Sequence, residues 1–440
     1  MSIKIKPRIG FAVMLHPFEV NADKAPEIFE KSLLLLKSID SAEIISADEF
    51  INEKNAAQLV GKQFNNAKVD VICLKLATWS SDDLLFELLA ESDVPIILWA
   101  YPHMHAGSLC GAQQFNCVLK EVGKECKFVY DDTKETLNDI TSYSNAIAVQ
   151  NRLRHLIIGQ IGDRTQGMRE VICDESSLKH VFGARISKIE LNEFINMNMG
   201  ISEDEISQQW EKVKSSIEKI NISDNTGLDV IRIFYILKKF IEKKNLDALT
   251  IECYPEFMGK TCLGFSLLAD EGIACACEGD VHGALLMWIM MKLSGGPVHN
   301  TDTLYVHKED NSVTGSHCGC GSIKLAESRE KVEINPVRLA DGGACVVFPS
   351  KPGIVTMANL IGKAETYRLG VILGEAIKTD MTFPGNPLRV KLPVSIKDYL
   401  KFIEECALGH HWIVAYGDIT KELKIMAKQL NINLHQLESN

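Results

Sequence analysis

The sequence predicts an α/β protein in which two βαβ series with parallel sheets precede a mostly β carboxy-terminal third. Over the first 150 residues, short apolar runs alternate with amphipathic helical patterns, as expected for strands covered on both faces. A second series of the same kind starts near Asn151. From Thr303 to about Lys378, short β runs separated by Gly and Pro turns take over, which is typical of an antiparallel sheet or a small barrel.

The first predicted domain covers residues 1–150. Its helices have apolar positions at helical spacing, and its strands are short continuous apolar runs. The predicted strands are Ile9–Met14, Val69–Leu76 and Pro95–Ala100, and the predicted helices are Ala25–Ile39, Phe50–Asn66 and Asp82–Glu91. Strands that alternate with helices in this way form βαβ units, so the sheet is expected to be parallel.

The second predicted domain covers residues 151–297 and the third covers residues 298–440. Strands are predicted in the second at His155–Ile161, Ile186–Leu191, Ala248–Cys253 and Ile273–Cys277, with helices at Ser202–Ile220, Leu228–Lys244 and Ala284–Met291. In the third, strands are predicted at Thr303–Val306, Ala344–Phe348, Ile354–Leu360, Thr366–Gly374 and Trp412–Tyr416, with helices at Ser395–Ala407 and Thr420–Leu430. The absence of a Ser/Gly linker predicts that the domains pack closely.

Composition excludes several classes of protein. The chain has 440 residues, 46% hydrophobic and 24% charged, which excludes a disordered or fibrous protein. Its formal net charge of −11 disfavours binding to nucleic acid or to anionic membranes, because like charges repel. No apolar run reaches the roughly 18 residues that span a bilayer, and the first ten residues lack the apolar stretch of a signal peptide. Thirteen cysteines, an odd number, favour reduced thiols in the cytoplasm.

Four polar clusters lie at the ends of predicted strands or helices, where the sites of α/β proteins form. They are Glu278–His282, His299–Asp302, Gly315–Cys320 and Gly409–Trp412. Each also has an ordinary structural explanation, such as a carboxylate that caps a helix, an Asx turn or a buried histidine. Considered together, carboxylates and imidazoles without thiolate spacing suit Mn²⁺ or Mg²⁺.

A zinc–thiolate site is the competing interpretation of these clusters. Its ligands would be Cys275, Cys277, Cys318 and Cys320. Both pairs are Cys-x-Cys, whereas structural zinc ligands are typically separated by two to four residues. Alternation along a strand also directs the first pair to one face, which is most simply a packed core face.

The order of these clusters resembles that of the L-fucose isomerase and L-arabinose isomerase superfamily. The shared features, in order, are Glu278-Gly-Asp280 opening a helix, Asp302 after Gly295-Gly296, Gly315-Ser-His317 and a late His410-His411 pair. The match is specific over about residues 250–420 and vague over the first 150. The chain is shorter than the fucose enzymes, and in this respect it is similar to sulfoquinovose isomerases.

The resemblance implies two doubly wound parallel-sheet α/β domains followed by a carboxy-terminal domain with an antiparallel, β-barrel-like part. It implies aldose–ketose isomerisation through a cis-enediol, with Glu278, Asp302 and His411 as ligands of Mn²⁺ or another divalent cation such as Mg²⁺ or Co²⁺. Glu278 and Asp302 would also transfer the protons. It further implies a homo-oligomer, a hexamer in this superfamily, in which the first domain covers a neighbour's active site.

The nature of the sugar depends on the end of the pocket near carbon 6. A 6-deoxy sugar, such as L-fucose, needs an apolar end, whereas the sulfonate of sulfoquinovose needs a cationic or histidine-rich end. The candidate substrate-binding residues are His103, Gln113, Arg164, His282, His317, His410 and Trp412. The first two lie in the segment His103–Asn116, which follows an apolar strand and is interpreted as a connection rich in hydrogen-bonding side chains.

Two other functions remain as alternatives. A non-catalytic intracellular sugar-binding protein would share paired α/β domains, but it would not need a ligand-like set of Glu, Asp and His. A nucleotide-dependent dehydrogenase would need a glycine-rich turn after a strand, and Gly159-Gln-Ile-Gly162 lacks the third glycine of that motif.

Overall fold

A computed structural model describes residues 3–197 and 200–438. The chain forms two compact units, which are residues 5–152 (the amino-terminal unit) and residues 1–4 with 153–440 (the carboxy-terminal unit). Both helices and strands occur in each unit, as the predicted α/β class requires. The three-part division at residues 150 and 297 stays a prediction.

The amino-terminal unit is a doubly wound sheet of five parallel strands in the order β2-β1-β3-β4-β5. Its strands are β1 (Arg8–Met14), β2 (Glu43–Ser46), β3 (Val71–Leu76), β4 (Ile96–Ala100) and β5 (Cys126–Tyr130). Its helices are α1 (Ala25–Lys37), α2 (Lys54–Asn66), α3 (Asp82–Glu91), α4 (Ser108–Glu121) and α5 (Lys134–Leu153). All residues of the central strands β3 and β4 are buried, which explains their continuous apolar runs.

The sequence predicted that the segment His103–Asn116 is a connection, but from Ser108 onward it is helical. Helix α4 begins at Ser108, whose hydroxyl donates to the carbonyl of Leu76 at 2.5 Å and accepts the backbone N–H of Tyr101 at 2.7 Å. The helical pattern is weak at the start of α4, because Ser108 and Gly111 form the buried face there while Leu109 is exposed.

The carboxy-terminal unit begins with a four-stranded parallel sheet in the order β10-β9-β6-β7. These strands are β6 (Ile157–Ile161), β7 (Arg185–Ile189), β9 (Ala248–Ile251) and β10 (Ala274–Ala276), with β8 (Lys219–Ile220) pairing elsewhere. The helices are α6 (Glu175–Phe182), α7 (Leu191–Ile195), α8 (Glu203–Ser216), α9 (Asp224–Lys244), α10 (Cys262–Asp270) and α11 (Val281–Ser294). The predicted helix Ser202–Ile220 is therefore too long, because its last residues form β8.

A closed antiparallel barrel follows, which confirms the predicted fold class. Its six strands occur in the order β15-β18-β11-β12-β17-β16, and β16 pairs with β15 to close the barrel. The remaining elements are β11 (Val298–His307), β12 (Ser312–Ser316), β13 (Glu333–Val337), β14 (Gly342–Val347), β15 (Gly353–Ile361), β16 (Arg368–Ile377), β17 (Leu388–Lys391), α12 (Ile396–Cys406), β18 (His411–Tyr416), α13 (Thr420–Gln429) and β19 (Asn433–Leu437). Strands β14, β13 and β8 form a separate small sheet.

Helix α11 joins the parallel sheet to the barrel. Almost every residue of α11 is buried, since it contacts β9 and β10 on the sheet and β11, β15 and β18 of the barrel. The amino-terminal end of α11 therefore lies where strands of the parallel sheet meet strands of the barrel. Although α11 is apolar, no helix within residues 3–197 and 200–438 is both long and apolar enough to cross a bilayer.

His299 on β11 provides a test of this packing through pH. Burial, with a smaller contribution from Lys351, lowers the pKa of His299 to about 3, so only the unfolded chain gains this proton between pH 6.5 and 3. Protonation of the unfolded chain therefore lowers the free energy of unfolding as the pH falls through that window. A glutamine at this position does not titrate. Between pH 7 and 5, we therefore expect the free energy of unfolding to fall by about 2 kcal/mol less in His299→Gln than in the wild type, as measured by urea denaturation. Equal losses would contradict a neutral, buried His299.

Candidate active site

The turn between β10 and α11 presents Glu278 in an unusual backbone conformation. Glu278 and Gly279 have φ angles of 66° and 74°, both in the left-handed region. A side chain at position 279 would lie 2.2 Å from the carbonyl oxygen of Asp163, so glycine is required there. The carbonyl of Glu278 accepts the N–H of Thr165 at 2.9 Å. A non-glycine residue held in this region costs about 1–3 kcal/mol, and such strain is typical of functional sites.

Asp280 binds the helix and a histidine with its two carboxylate oxygens. Oδ1 accepts the N–H of Gly283 at 2.9 Å and caps α11, while Oδ2 accepts from Nδ1 of His411 at 2.8 Å. Both side chains are buried. Because a carboxylate only accepts, this contact places a hydrogen of His411 on Nδ1, so Nε2 is the nitrogen that can bind a cation once the ring is neutral.

Strand register in the barrel brings the other residues to this turn. Asp302 on β11 lies directly opposite His411 on β18, and it also pairs with Ser316 on β12, immediately before His317. The hairpin of β11 and β12 and the distant strand β18 therefore bring Asp302, His317 and His411 close together. The spacing of the clusters along the chain does not contain this information.

Several polar atoms converge on Nε2 of His411. It lies 3.1 Å from Oε2 of Glu278 and 3.9 Å from Oδ1 of Asp302, and the ring of His317 is centred 5.6 Å from the ring of His411. In the part of the chain that the structure describes, these three converging atoms, and both ring nitrogens of His317, are buried without a hydrogen-bond partner. Unpartnered buried polar atoms are costly, which indicates that a ligand completes the site.

Two sets of side chains that could hold a metal ion share His411. One consists of Glu278, His410 and His411, and the other of Asp302, His317 and His411, with the ligand atoms of each set within 4.8 Å of one another. Carboxylate oxygens and imidazole nitrogens are suitable donors for Mn²⁺ and similar cations.

His410 is held by a residue that the sequence analysis did not identify. Its Nδ1 lies 2.6 Å from Oε1 of Glu170, and its Nε2 lies 3.5 Å from Oε2 of Glu278. Asn359 on β15 fixes the same segment, since its side-chain amide donates to the carbonyls of Gly409 and His411 at 3.0 and 2.6 Å. Glu170 belongs to a short 3-10 turn with no strand or motif beside it, so no sequence signal marks it.

Electrostatics keeps the central carboxylate ionised. Burial raises the pKa of Glu278, but the interactions with His410 and His411 outweigh it and hold the pKa well below the usual range. Burial lowers the pKa of His411, yet Asp280 and Glu278 raise it to about 10. The negative charge of Glu278 thus stabilises a positive charge beside it, either a protonated His411 or a bound cation.

Curated proteins similar to the chain are isomerases. The sulfoquinovose isomerases of Priestia aryabhattai and Priestia megaterium (strain ATCC 12872 / QMB1551) are each 26% identical over 418 residues, which cover 92% of this chain and 93% of theirs. That of Clostridium sp. (strain MSTE9) is 24% identical over 435 residues, covering 93% and 95%. The prediction of an isomerase is confirmed. The predicted resemblance to sulfoquinovose isomerases thus extends over nearly the whole chain.

Other comparisons add nothing to the fold. No family model matches the chain. A solute-binding protein of an ABC transporter from Burkholderia multivorans is 11% identical, covering 67% of this chain and 95% of its own, with a TM-score of 0.19. That score is too low to support any argument.

Three of the predicted substrate-binding residues lie in the carboxy-terminal unit, one in a loop, one in a helix and one in a strand. Arg164 is half-buried in the loop after β6, which packs against Gly279 of the turn that carries Glu278. His282 is buried in the first turn of α11, with its Nε2 3.3 Å from the hydroxyl of Tyr367. Trp412 is buried in the barrel core, on the opposite face of β18 from His411. The backbone of Arg164 therefore lies beside the turn that carries Glu278, and its guanidinium donates to the carbonyl of Thr165 at 3.1 Å, whereas Trp412 faces away from His411.

His103 and Gln113 lie in the amino-terminal unit. Both are exposed, and the ring of His103 stacks on that of Tyr101 with centroids 6.2 Å apart. Their predicted contribution to the active site of a neighbouring subunit stays a prediction, as does the hexamer.

Proposed function

We propose that the chain is a divalent-metal-dependent isomerase that converts sulfoquinovose into sulfofructose through a cis-enediol. The observation that carries this proposal is the convergence of Glu278, Asp302 and His411, through buried atoms without hydrogen-bond partners, at one point of the carboxy-terminal unit. The curated relatives support the choice of substrate, since they carry the name sulfoquinovose isomerase.

The residues present fit a cation such as Mn²⁺, with Mg²⁺ or Co²⁺ as alternatives. Glu278, Asp302 and His411 would hold it, and His317 is close enough to Asp302 and His411 to take part. A bound divalent cation acts as a Lewis acid that polarises adjacent oxygens of a sugar. Asp280 contributes by fixing the imidazole of His411 in the form that leaves Nε2 without a hydrogen.

Proton transfer is assigned to the two carboxylates. One removes the proton from carbon 2 of the open-chain aldose and returns it to carbon 1, while the other moves a hydroxyl proton between oxygen 2 and oxygen 1. Glu278 is ionised because His410 and His411 lower its pKa despite burial, so it can accept a proton. Asp302 faces His411 from the neighbouring strand and is the partner in this transfer.

The experiment that tests this function follows the reaction in D₂O by NMR. With sulfoquinovose and Mn²⁺, we expect sulfofructose to appear and solvent deuterium to enter the product at carbon 1, because the enediol exchanges its proton with the carboxylate and the solvent. EDTA should stop the conversion and Mn²⁺ should restore it. Product without deuterium would contradict the enediol. Binding of sulfoquinovose without conversion would instead support the sugar-binding alternative.

Arg164 is proposed to bind the sulfonate. An arginine pairs with such an anion through parallel N–H donors, and charge-assisted hydrogen bonds contribute about 1.5–3 kcal/mol. We therefore expect Arg164→Gln to raise KM for sulfoquinovose by about 10- to 100-fold, with a much smaller change for glucose, which has no charge. Steady-state kinetics with both sugars measures the difference.

Arg154 offers a matched control. It is exposed and precedes β6, whereas Arg164 follows the same strand, so the two residues lie at opposite ends of that strand. Arg154→Gln should leave both KM values unchanged. An equal rise of KM for both sugars in Arg164→Gln would assign that residue to general sugar binding or to the loop's structure.

A further inference from the structure

A cluster of cysteines lies directly behind the proposed active site. One hydrophobic core contains the buried residues Cys253, Cys262, Cys275, Cys277, Cys320 and Cys345, with Cys318 packed against it. Within this core the Sγ atoms of Cys277 and Cys320 are 3.7 Å apart. A ring nitrogen of His317 lies within 4.8 Å of both sulfurs.

The distance between the two sulfurs matches a tetrahedral zinc centre. A Zn–S bond is about 2.3 Å long, so two thiolates on one tetrahedral ion are about 3.8 Å apart. His317 supplies a second and independent observation. It is 5% exposed, and neither of its ring nitrogens has a hydrogen-bond partner among the residues that the structure describes. A buried imidazole without partners is unfavourable unless a ligand binds it.

We propose that Cys277, Cys320 and His317, completed by Cys253, bind one Zn²⁺ ion as a Cys₃His site. Cys253 is buried in the same core, just after the strand β9 that pairs with β10. When the ion binds, the thiols release their protons to solvent and form sulfur–metal bonds, with no change of oxidation state. This ligand set was not visible as a spacing motif.

Topology explains how these residues meet. Cys253 follows β9 and Cys277 follows β10, and these strands are parallel neighbours, so both cysteines leave the same edge of the sheet. His317 and Cys320 lie on the loop after β12. Three chain segments thus supply the ligands, and for this reason the Cys-x-Cys spacing did not exclude a zinc site.

The site is chemically distinct from the carboxylate-rich site beside it. Thiolates select Zn²⁺ over Mn²⁺, whereas carboxylate oxygens favour the harder cations. His317 belongs to both groups, since it also lies near Asp302 and His411. A neutral imidazole that binds zinc through one ring nitrogen carries its hydrogen on the other, so His317 would face the active site as a hydrogen-bond donor and not as a second ligand of the carboxylate-bound cation.

The experiment titrates Co²⁺ into the full-length, demetallated and reduced chain. Co²⁺ bound by thiolates gives an intense thiolate-to-metal charge-transfer band in the near ultraviolet, and carboxylate or imidazole ligands do not. We expect this band to saturate at one ion per chain and to disappear on addition of Zn²⁺ but not of Mn²⁺. Elemental analysis of the untreated protein should show zinc.

Variants locate the site. Cys277→Ala and Cys320→Ala should lose the band, whereas Cys275→Ala should keep it, since Cys275 lies in the same core but outside the ligand set. The absence of a band in the folded wild type would overturn the proposal, and so would a band that survives both substitutions. Isomerase activity is not the readout, so this result is independent of the proposed function.

Discussion

Glu278→Gln lowers the turnover number by about 10²- to 10⁴-fold with sulfoquinovose and Mn²⁺, if Glu278 transfers the proton. Glutamine has nearly the same size as glutamate, so the turn at Gly279 and the packing of α11 are retained. The amide cannot accept the proton from carbon 2, and it also removes a negative charge beside His411. Steady-state kinetics measures the loss, and circular dichroism shows that the fold is intact.

A surface glutamate of the same unit gives the control. Glu271 pairs with Lys238 in an exposed ion pair, which contributes little to stability. Glu271→Gln should therefore retain wild-type turnover. If Glu278→Gln keeps more than about a tenth of the activity, the acid–base role of Glu278 is wrong, because such groups usually contribute 10²-fold or more.

Asp280→Asn is expected to weaken Mn²⁺ binding by about 10- to 100-fold, the usual effect of losing a partner of a metal-binding histidine. Asparagine caps a helix as well as aspartate does. However, only one of its two terminal atoms accepts a hydrogen bond. If the amide oxygen keeps the N–H of Gly283, the NH₂ group faces Nδ1 of His411 and moves the ring hydrogen to Nε2, where it blocks the cation.

The control for this variant is another aspartate that caps a helix. Asp174 accepts the N–H of Ser177 at 2.7 Å at the start of α6, and within residues 3–197 and 200–438 no histidine donates to it. Asp174→Asn should leave Mn²⁺ affinity unchanged, as measured by isothermal titration calorimetry or by the electron paramagnetic resonance signal of free Mn²⁺. Unchanged affinity in Asp280→Asn would mean that Asp280 serves the helix alone.

The local sequence pattern was sufficient to predict helices with one apolar and one polar face, and strands formed by a short apolar run. The predicted strand Ile9–Met14 lies within β1, and the predicted helix Asp82–Glu91 coincides with α3. Helix α10 was missed because seven of its nine residues are buried, which leaves no polar face to reveal the helical period. Strand β2 was missed because none of its residues is fully buried, so its apolar signal is weak.

The sequence by itself determined the class of the fold, the chemistry of the donors and the order of Glu278, Asp302 and His411 along the chain. Local composition is sufficient for these properties, since apolar periodicity specifies elements and side-chain types specify ligands. Only the tertiary structure decided which atoms meet. The bond from His411 to Asp280 spans 131 residues, and the pairing of Asp302 with His411 depends on barrel register. Such contacts are fixed by strand pairing and by the burial of α11 between sheet and barrel, and no local stretch of sequence records them.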